Sequence, residues 1–206
     1  MRVTVIDYKA GNLTSVVKSL RHLGADVEVT DQDLAIIETA ERLVLPGVGH
    51  FSATRRLDAT GITSAIRAAI GHGTPFLGIC VGMQWLYSGS TEAPACPGLG
   101  HFSESCQRFR ECDLKVPHVG WNSIEARVGS RLLAGVESGE HVYFTHSYRA
   151  PISADTCAIT HYIDDFAAAV ERGNVMGVQF HPEKSSDTGL RILRNFLKWA
   201  PNGETC

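Results

Sequence analysis

Apolar residues in the first eighty positions fall into short runs separated by stretches of helical period. Residues 3–6, Val-Thr-Val-Ile, read as a first strand, and 7–12 as a loop of turn residues. Leu13, Val16, Val17 and Leu20 then recur at helical spacing and predict a helix over about 13–23, with Gly24 as its C-cap. Residues 25–30 give a second strand, 31–40 a short helix and 43–45 a third strand. A helix over about 62–70 leads to the apolar run 75–79, bounded by Gly73-Thr74-Pro75 and read as a fully buried strand. From Met83 the period is helical again. This alternation predicts an α/β fold, with a mainly parallel central sheet covered by helices on both faces.

The second half changes character. Between residues 96 and 163 the helical period fades and β-like pieces recur at 106–110, 123–127, 141–145 and 157–162. They predict a mainly antiparallel extension packed beside the parallel sheet. Residues 117–122, Pro-His-Val-Gly-Trp-Asn, read as a loop dense in polar and aromatic groups. A late strand over 175–180 ends in His181-Pro182-Glu183-Lys184-Ser185, and a closing helix spans about 189–199. No repeat or linker interrupts the chain, so residues 1–206 are expected to form one domain.

Composition narrows the function. The net charge is −3 with no basic run, which argues against nucleic acid as a partner. No apolar segment reaches the roughly 18–20 residues that cross a membrane. The six cysteines form no C-x-x-C pair, and no histidine stands at zinc-finger spacing from a cysteine pair. They read as reduced thiols of a cytoplasmic protein, with neither metal nor disulfide expected at Cys96, Cys106 and Cys112.

The chemistry centres on Cys80. It lies at a strand-to-helix junction, with Gly78 two residues before it and Gly82 two residues after. This is the spacing of a nucleophile elbow, with Cys in place of Ser. The helix N-terminus behind the sulfur favours a nucleophilic thiol, and the Val81 N–H is placed to meet an oxyanion. Pro46-Gly47-Val48-Gly49 lacks the spacing of a phosphate loop and reads as a turn that can supply a second oxyanion donor. Of nine histidines, His181 is the best-placed base, since it ends a buried strand and Glu183 follows to orient it. His146 is the rival, but no carboxylate follows it closely, and it is assigned to the pocket wall. His50 and His118 read as ordinary loop histidines.

The segments Gly78-Ile79-Cys80-Val81-Gly82-Met83-Gln84 and His181-Pro182-Glu183 together resemble the class I (triad) glutamine amidotransferases. The resemblance implies that family's flavodoxin-like fold and the release of ammonia from glutamine through a Cys-His-Glu triad. It places Gln84, Thr145, His146 and Ser147 among the contacts to glutamine, and it calls for no cofactor and no metal. Asp7-Tyr8-x-x-Gly11-Asn12, residues 117–122 and Tyr143-Phe144-Thr145-His146-Ser147-Tyr148 are further similar to the glutaminase subunits of imidazole glycerol phosphate synthases. That similarity implies a heterodimer with a (β/α)8-barrel cyclase subunit. Asn12, Trp121, Asn122, Tyr143 and Lys184 are then the candidates for the docking face. The alternatives are a glutaminase subunit of the anthranilate or aminobenzoate type, a stand-alone γ-glutamyl hydrolase or cysteine peptidase, and a non-catalytic regulatory subunit. The intact Cys80, His181 and Glu183 set argues against the last.

Overall fold

The structure is a computed structural model that describes residues 1–10 and 13–200. Gly11, Asn12 and Cys206 lie outside the described residues, and so does the docking role expected of Asn12. In chain order, β1 (Arg2–Ile6), α1 (Leu13–His22), β2 (Asp26–Thr30), α2 (Leu34–Glu38) and β3 (Leu43–Gly47) lead to a 3-10 turn, Phe51–Thr54, and α3 (Arg55–Ala59). Then come α4 (Ile62–Gly71), β4 (Phe76–Cys80), α5 (Val81–Trp85), β5 (Gly89–Ser90), β6 (Ser105–Arg108), β7 (His118–Ser123) and β8 (Glu125–Ala126). β9 (His141–His146), β10 (Tyr148–Arg149), β11 (Thr156–His161), β12 (Asp165–Arg172), β13 (Val175–Val178), a 3-10 turn at Pro182–Lys184 and α6 (Ser186–Lys198) complete the chain.

Eight strands form one sheet in the order β2-β1-β3-β4-β13-β12-β11-β8. From β2 to β13 neighbours run parallel, and from β13 to β8 they run antiparallel. Central strands are apolar along their whole length because both faces are covered. Leu43, Val44, Leu45, Phe76 and Leu77 are fully buried, each contributing about 1.5–3 kcal/mol by transfer from water. The last helix closes one face with Ile192, Leu193 and Phe196, all fully buried.

Two expectations are corrected. The antiparallel strands β12, β11 and β8 do not pack beside the parallel sheet; they extend it, hydrogen-bonded edge to edge through β13. The joining strand, β12, carries Phe-Ala-Ala-Ala-Val, whose small residues gave no strand signal yet are fully buried. Residues 117–122 are not a loop. His118–Ser123 is a strand, paired with β9 from His118↔His146 to Ser123↔His141 in a ribbon separate from the main sheet. Its pattern misleads because polarity is inverted: His118 is buried, while Val119 and Trp121 are 57% and 51% exposed.

Candidate active site

Strand order brings the ends of β3, β4 and β13 side by side, with Gly47 paired to Cys80. Open parallel sheets place their sites at this edge. Cys80 links β4 directly to α5 and holds φ 54°, ψ −108°, a strained conformation costing on the order of 1–3 kcal/mol. The flanking glycines are steric necessities. A Cβ on Gly78 would lie 2.5 Å from the Gly82 carbonyl oxygen, and one on Gly82 would run into the Leu45 carbonyl. The strain therefore persists because the chain packs against itself on both sides of the sulfur.

The base lies across the site. His181 Nδ1 and Glu183 Oε1 are 2.9 Å apart, both side chains 2% exposed. Burial pulls the imidazole down, but hydrogen bonding and charge from Cys80 and Glu183 outweigh it and raise the His181 pKa to about 9. At rest Nε2 has no hydrogen bond of ordinary geometry among the described residues, so it is open to a partner. The Cys80 thiol donates weakly to the Thr145 carbonyl at 3.9 Å and accepts from Gln179 Nε2 at 3.6 Å.

A cavity of about 240 Å³ opens in front of the sulfur. Val48, Gly49, Cys80, Val81, Gln84, Glu92, Pro117 and residues 145–148 line it. Val81 N–H is the first amide of α5, and such amides have no acceptor within their own helix. Val48 N–H is turned elsewhere, donating to the Ala10 carbonyl at 3.4 Å. The site thus holds a thiol on a strained turn, an imidazole oriented by a carboxylate and one amide at a helix start, while the Val48 N–H is occupied by the Ala10 carbonyl.

The model of the class-I glutamine amidotransferase family matches residues 4–199. The chain belongs to that family.

Among its relatives are subunits of imidazole glycerol phosphate synthase named HisH. That of Rhodospirillum rubrum is 44% identical, covering 98% of this chain and 100% of that protein. That of Salinibacter ruber is 47% identical over 94% and 92%. Among solved structures, a glutamine amidotransferase superposes with a TM-score of 0.75 at 22% identity, covering 95% of this chain and 96% of that one.

Within this amidotransferase, the residues expected at the site divide into three groups. Cys80, His181 and Glu183 converge, as do Gly47, Val48, Gly49, Val81 and Gln84 around the sulfur. Thr145, His146 and Ser147 line the cavity. Gln84 is buried, and its Nε2 donates to both Gln179 Oε1 and the Tyr148 carbonyl, so the amide is already held in place. Trp121, Tyr143 and Lys184 gather on the outer face of the ribbon. The Trp121 and Tyr143 rings are 6.2 Å apart, and the Lys184 ammonium sits 5.6 Å from the Tyr143 ring centre. Asn122 lies on the opposite face, donating to His118 Nε2 and to the His161 carbonyl.

His118 is no loop residue: it stacks on Tyr162 and Phe144 within the aromatic core. Since Asn122 donates to its Nε2, its proton sits on Nδ1 and is donated to His146 Nε2, 3.2 Å away. His146 Nδ1–H in turn donates to the Tyr148 carbonyl. Burial lowers the two pKa values to about 4 and about 3, so both rings stay neutral. His50 caps the 3-10 turn at Phe51–Thr54. Cys96 and Cys106 are buried free thiols, and Cys112 is exposed. Among the described residues no group of histidine, cysteine and carboxylate side chains is arranged to hold a metal, and no helix is long and apolar enough to cross a membrane.

Sequence reasoning gave no role to Gln179, Glu92 or Tyr8. Gln179 was within reach of it, since it directly follows the buried strand β13 and stands two residues before His181, the expected base. Tyr8 stood in the motif Asp7-Tyr8-x-x-Gly11-Asn12 without a role of its own, and Glu92 carried no signal.

Proposed function

We propose that this chain is the glutaminase subunit of an imidazole glycerol phosphate synthase, a cytoplasmic enzyme of histidine biosynthesis. The observation that carries the chemistry is the strained Cys80 elbow facing a cavity beside the buried His181–Glu183 pair. In this reading the Cys80 thiolate attacks the side-chain carbonyl carbon of glutamine, its proton already resting on His181 Nε2, as the raised pKa of that ring favours. The tetrahedral oxyanion rests on the Val81 N–H, joined by Val48 N–H once that amide turns inward. His181, with its raised pKa, holds the proton and hands it to the leaving nitrogen. Ammonia departs and a γ-glutamyl thioester remains on Cys80. Water, deprotonated by His181, then cleaves the thioester and releases glutamate. Glu183 holds the ring and stabilises its charged form. Glu92 offers a carboxylate to the substrate's α-ammonium group.

Ammonia released to water is largely protonated and loses its nucleophilicity, so it must pass directly to an acceptor subunit, read here as a (β/α)8-barrel cyclase. Exposed Val119 and Trp121, with Tyr143 and Lys184, supply the docking face. An exposed aromatic at the centre of a half-apolar patch is the usual anchor of an interface. The identity of the relatives favours this reading over an anthranilate-type subunit or a hydrolase acting alone.

The test is Cys80→Ala in the complex with the cyclase subunit. Glutamine-dependent synthesis should vanish while ammonia-dependent synthesis continues. Glutamine hydrolysis near the wild-type rate would remove Cys80 from the mechanism. Failure of the wild-type chain to rescue a histidine auxotroph lacking this subunit would point to another amidotransferase.

A further inference from the structure

Tyr8 is 2% exposed, and its hydroxyl has no hydrogen-bond partner among the described residues. Phenylalanine would fill the same space without burying an unsatisfied donor, so the described residues give the hydroxyl no use at rest. Its place suggests one elsewhere in the cycle. Tyr8 follows β1, and the order β1-β3-β4 sets it beside the end of β3. A Cβ built on Gly47 would collide with the Tyr8 hydroxyl oxygen, so the O–H abuts the Gly47 backbone. Burial, with the neighbouring Cys80, holds the phenol well above its ordinary range, and it remains a donor at any working pH. Tyr8 does not line the cavity, so its hydroxyl meets the turn and not the substrate.

The peptide joining Gly47 to Val48 is a rigid plane. When Val48 N–H leaves the Ala10 carbonyl and turns into the cavity, the Gly47 carbonyl must swing to the other side with it. Gly47 is buried, and its displaced carbonyl needs a donor. That rotation turns ψ of Gly47 and φ of Val48, and the missing side chain at Gly47 leaves the first of the two little hindered.

We infer that the Tyr8 hydroxyl is that donor: a positioning residue that receives the Gly47 carbonyl when the Gly47–Val48 peptide turns to present its N–H to the oxyanion. This rests on the oxyanion role proposed above for Val48.

The test is Tyr8→Phe in the full chain bound to its cyclase subunit. The kcat for glutamine should fall about three- to tenfold, the worth of one buried hydrogen bond. KM should stay unchanged, and the melting temperature should equal or exceed that of wild type. An unchanged kcat would overturn the inference, as would a loss expressed as a raised KM with a lowered melting temperature. Val48→Pro, which deletes the N–H, separates the two levels. If it keeps wild-type kcat, the oxyanion role fails and the Tyr8 role with it. If it is impaired while Tyr8→Phe is not, only the Tyr8 role fails. In the Val48→Pro background, Tyr8→Phe should cost nothing more, because the donor it positions is gone.

Discussion

The sheet edge around Cys80 and the β7–β9 ribbon beside it solve opposite problems. The edge places reactive side chains on backbone that cannot move: Gly78 and Gly82 are locked against their neighbours, and His181 and Glu183 are buried. The ribbon stands outside the main sheet and turns its polar rings inward and its apolar side chains, Val119 and Trp121, to the surface. Yet the two are bonded together. The Tyr143 carbonyl accepts from the His181 N–H, Tyr143 N–H donates to Ser185 Oγ, and that hydroxyl donates to the His181 carbonyl. The Thr145 carbonyl takes the weak bond from the Cys80 thiol. The proposed chemistry thus lies in the closely packed region, and the ribbon that carries the proposed docking face touches both Cys80 and His181 through its backbone.

The comparison breaks first at the edge. Cys80→Ala or His181→Ala should each lower kcat for glutamine by about 10⁶-fold, as loss of a nucleophile or base does in triad enzymes. Glu183→Gln should cost less, about 10⁴-fold, because the orienter acts through the base. Steady-state glutaminase assays of the complex check both. Equal activity of Glu183→Gln and wild type would make Glu183 a structural residue.

Stability against pH sharpens the contrast, because the two regions should fail at opposite ends. His181 in the edge has its pKa raised to about 9. Its contribution is complete below the unfolded value of about 6.5 and is lost as pH rises through about 9. His118 and His146 in the ribbon are lowered to about 4 and about 3. Their contribution is complete above about pH 6.5 and is lost as pH falls towards 4, where the unfolded chain takes protons that the folded chain refuses. Each effect is on the order of 3–5 kcal/mol. Denaturation of wild type, His181→Gln and His146→Gln across this range measures it. His146→Gln should lose less stability on acidification than wild type, and His181→Gln less at high pH.

The smallest effect concerns the ribbon's outer face. Trp121→Ala should weaken binding of the cyclase subunit by about 2 kcal/mol, roughly thirtyfold, while glutamine turnover by the isolated chain stays as it was. Titration calorimetry gives the first quantity. Unchanged affinity would move the docking face elsewhere.

What the sequence disclosed follows the same division. The elbow was readable because its backbone admits only glycine at positions 78 and 82, and the βα alternation that leads to it has a strong period. The ribbon was not, because strand recognition assumes apolar residues face inward. There His118 and Asn122 face the interior and Trp121 the surface, an inversion in keeping with the docking face proposed for this segment. β12 escaped notice for a different reason: alanines carry little strand preference, and only the packing of the finished sheet makes them fit. The Gly47-Val48-Gly49 turn was legible as a source of a second oxyanion donor, but the acceptor holding it, the Ala10 carbonyl, is a backbone atom with no sequence signature.

As proposed, the edge lacks only one inward-facing donor, the Val48 N–H of this chain, and a partner on the ribbon side turns it inward. This is tested most directly by kcat for glutamine in three samples: the isolated chain, its complex with the cyclase subunit, and that complex with the cyclase's nucleotide substrate bound. The account predicts a rise of about 10²–10³-fold from first to last, the worth of one oxyanion donor, with KM little changed. Equal kcat in all three would contradict it, and the turn at Gly47-Val48-Gly49 would then be a fixed part of the site.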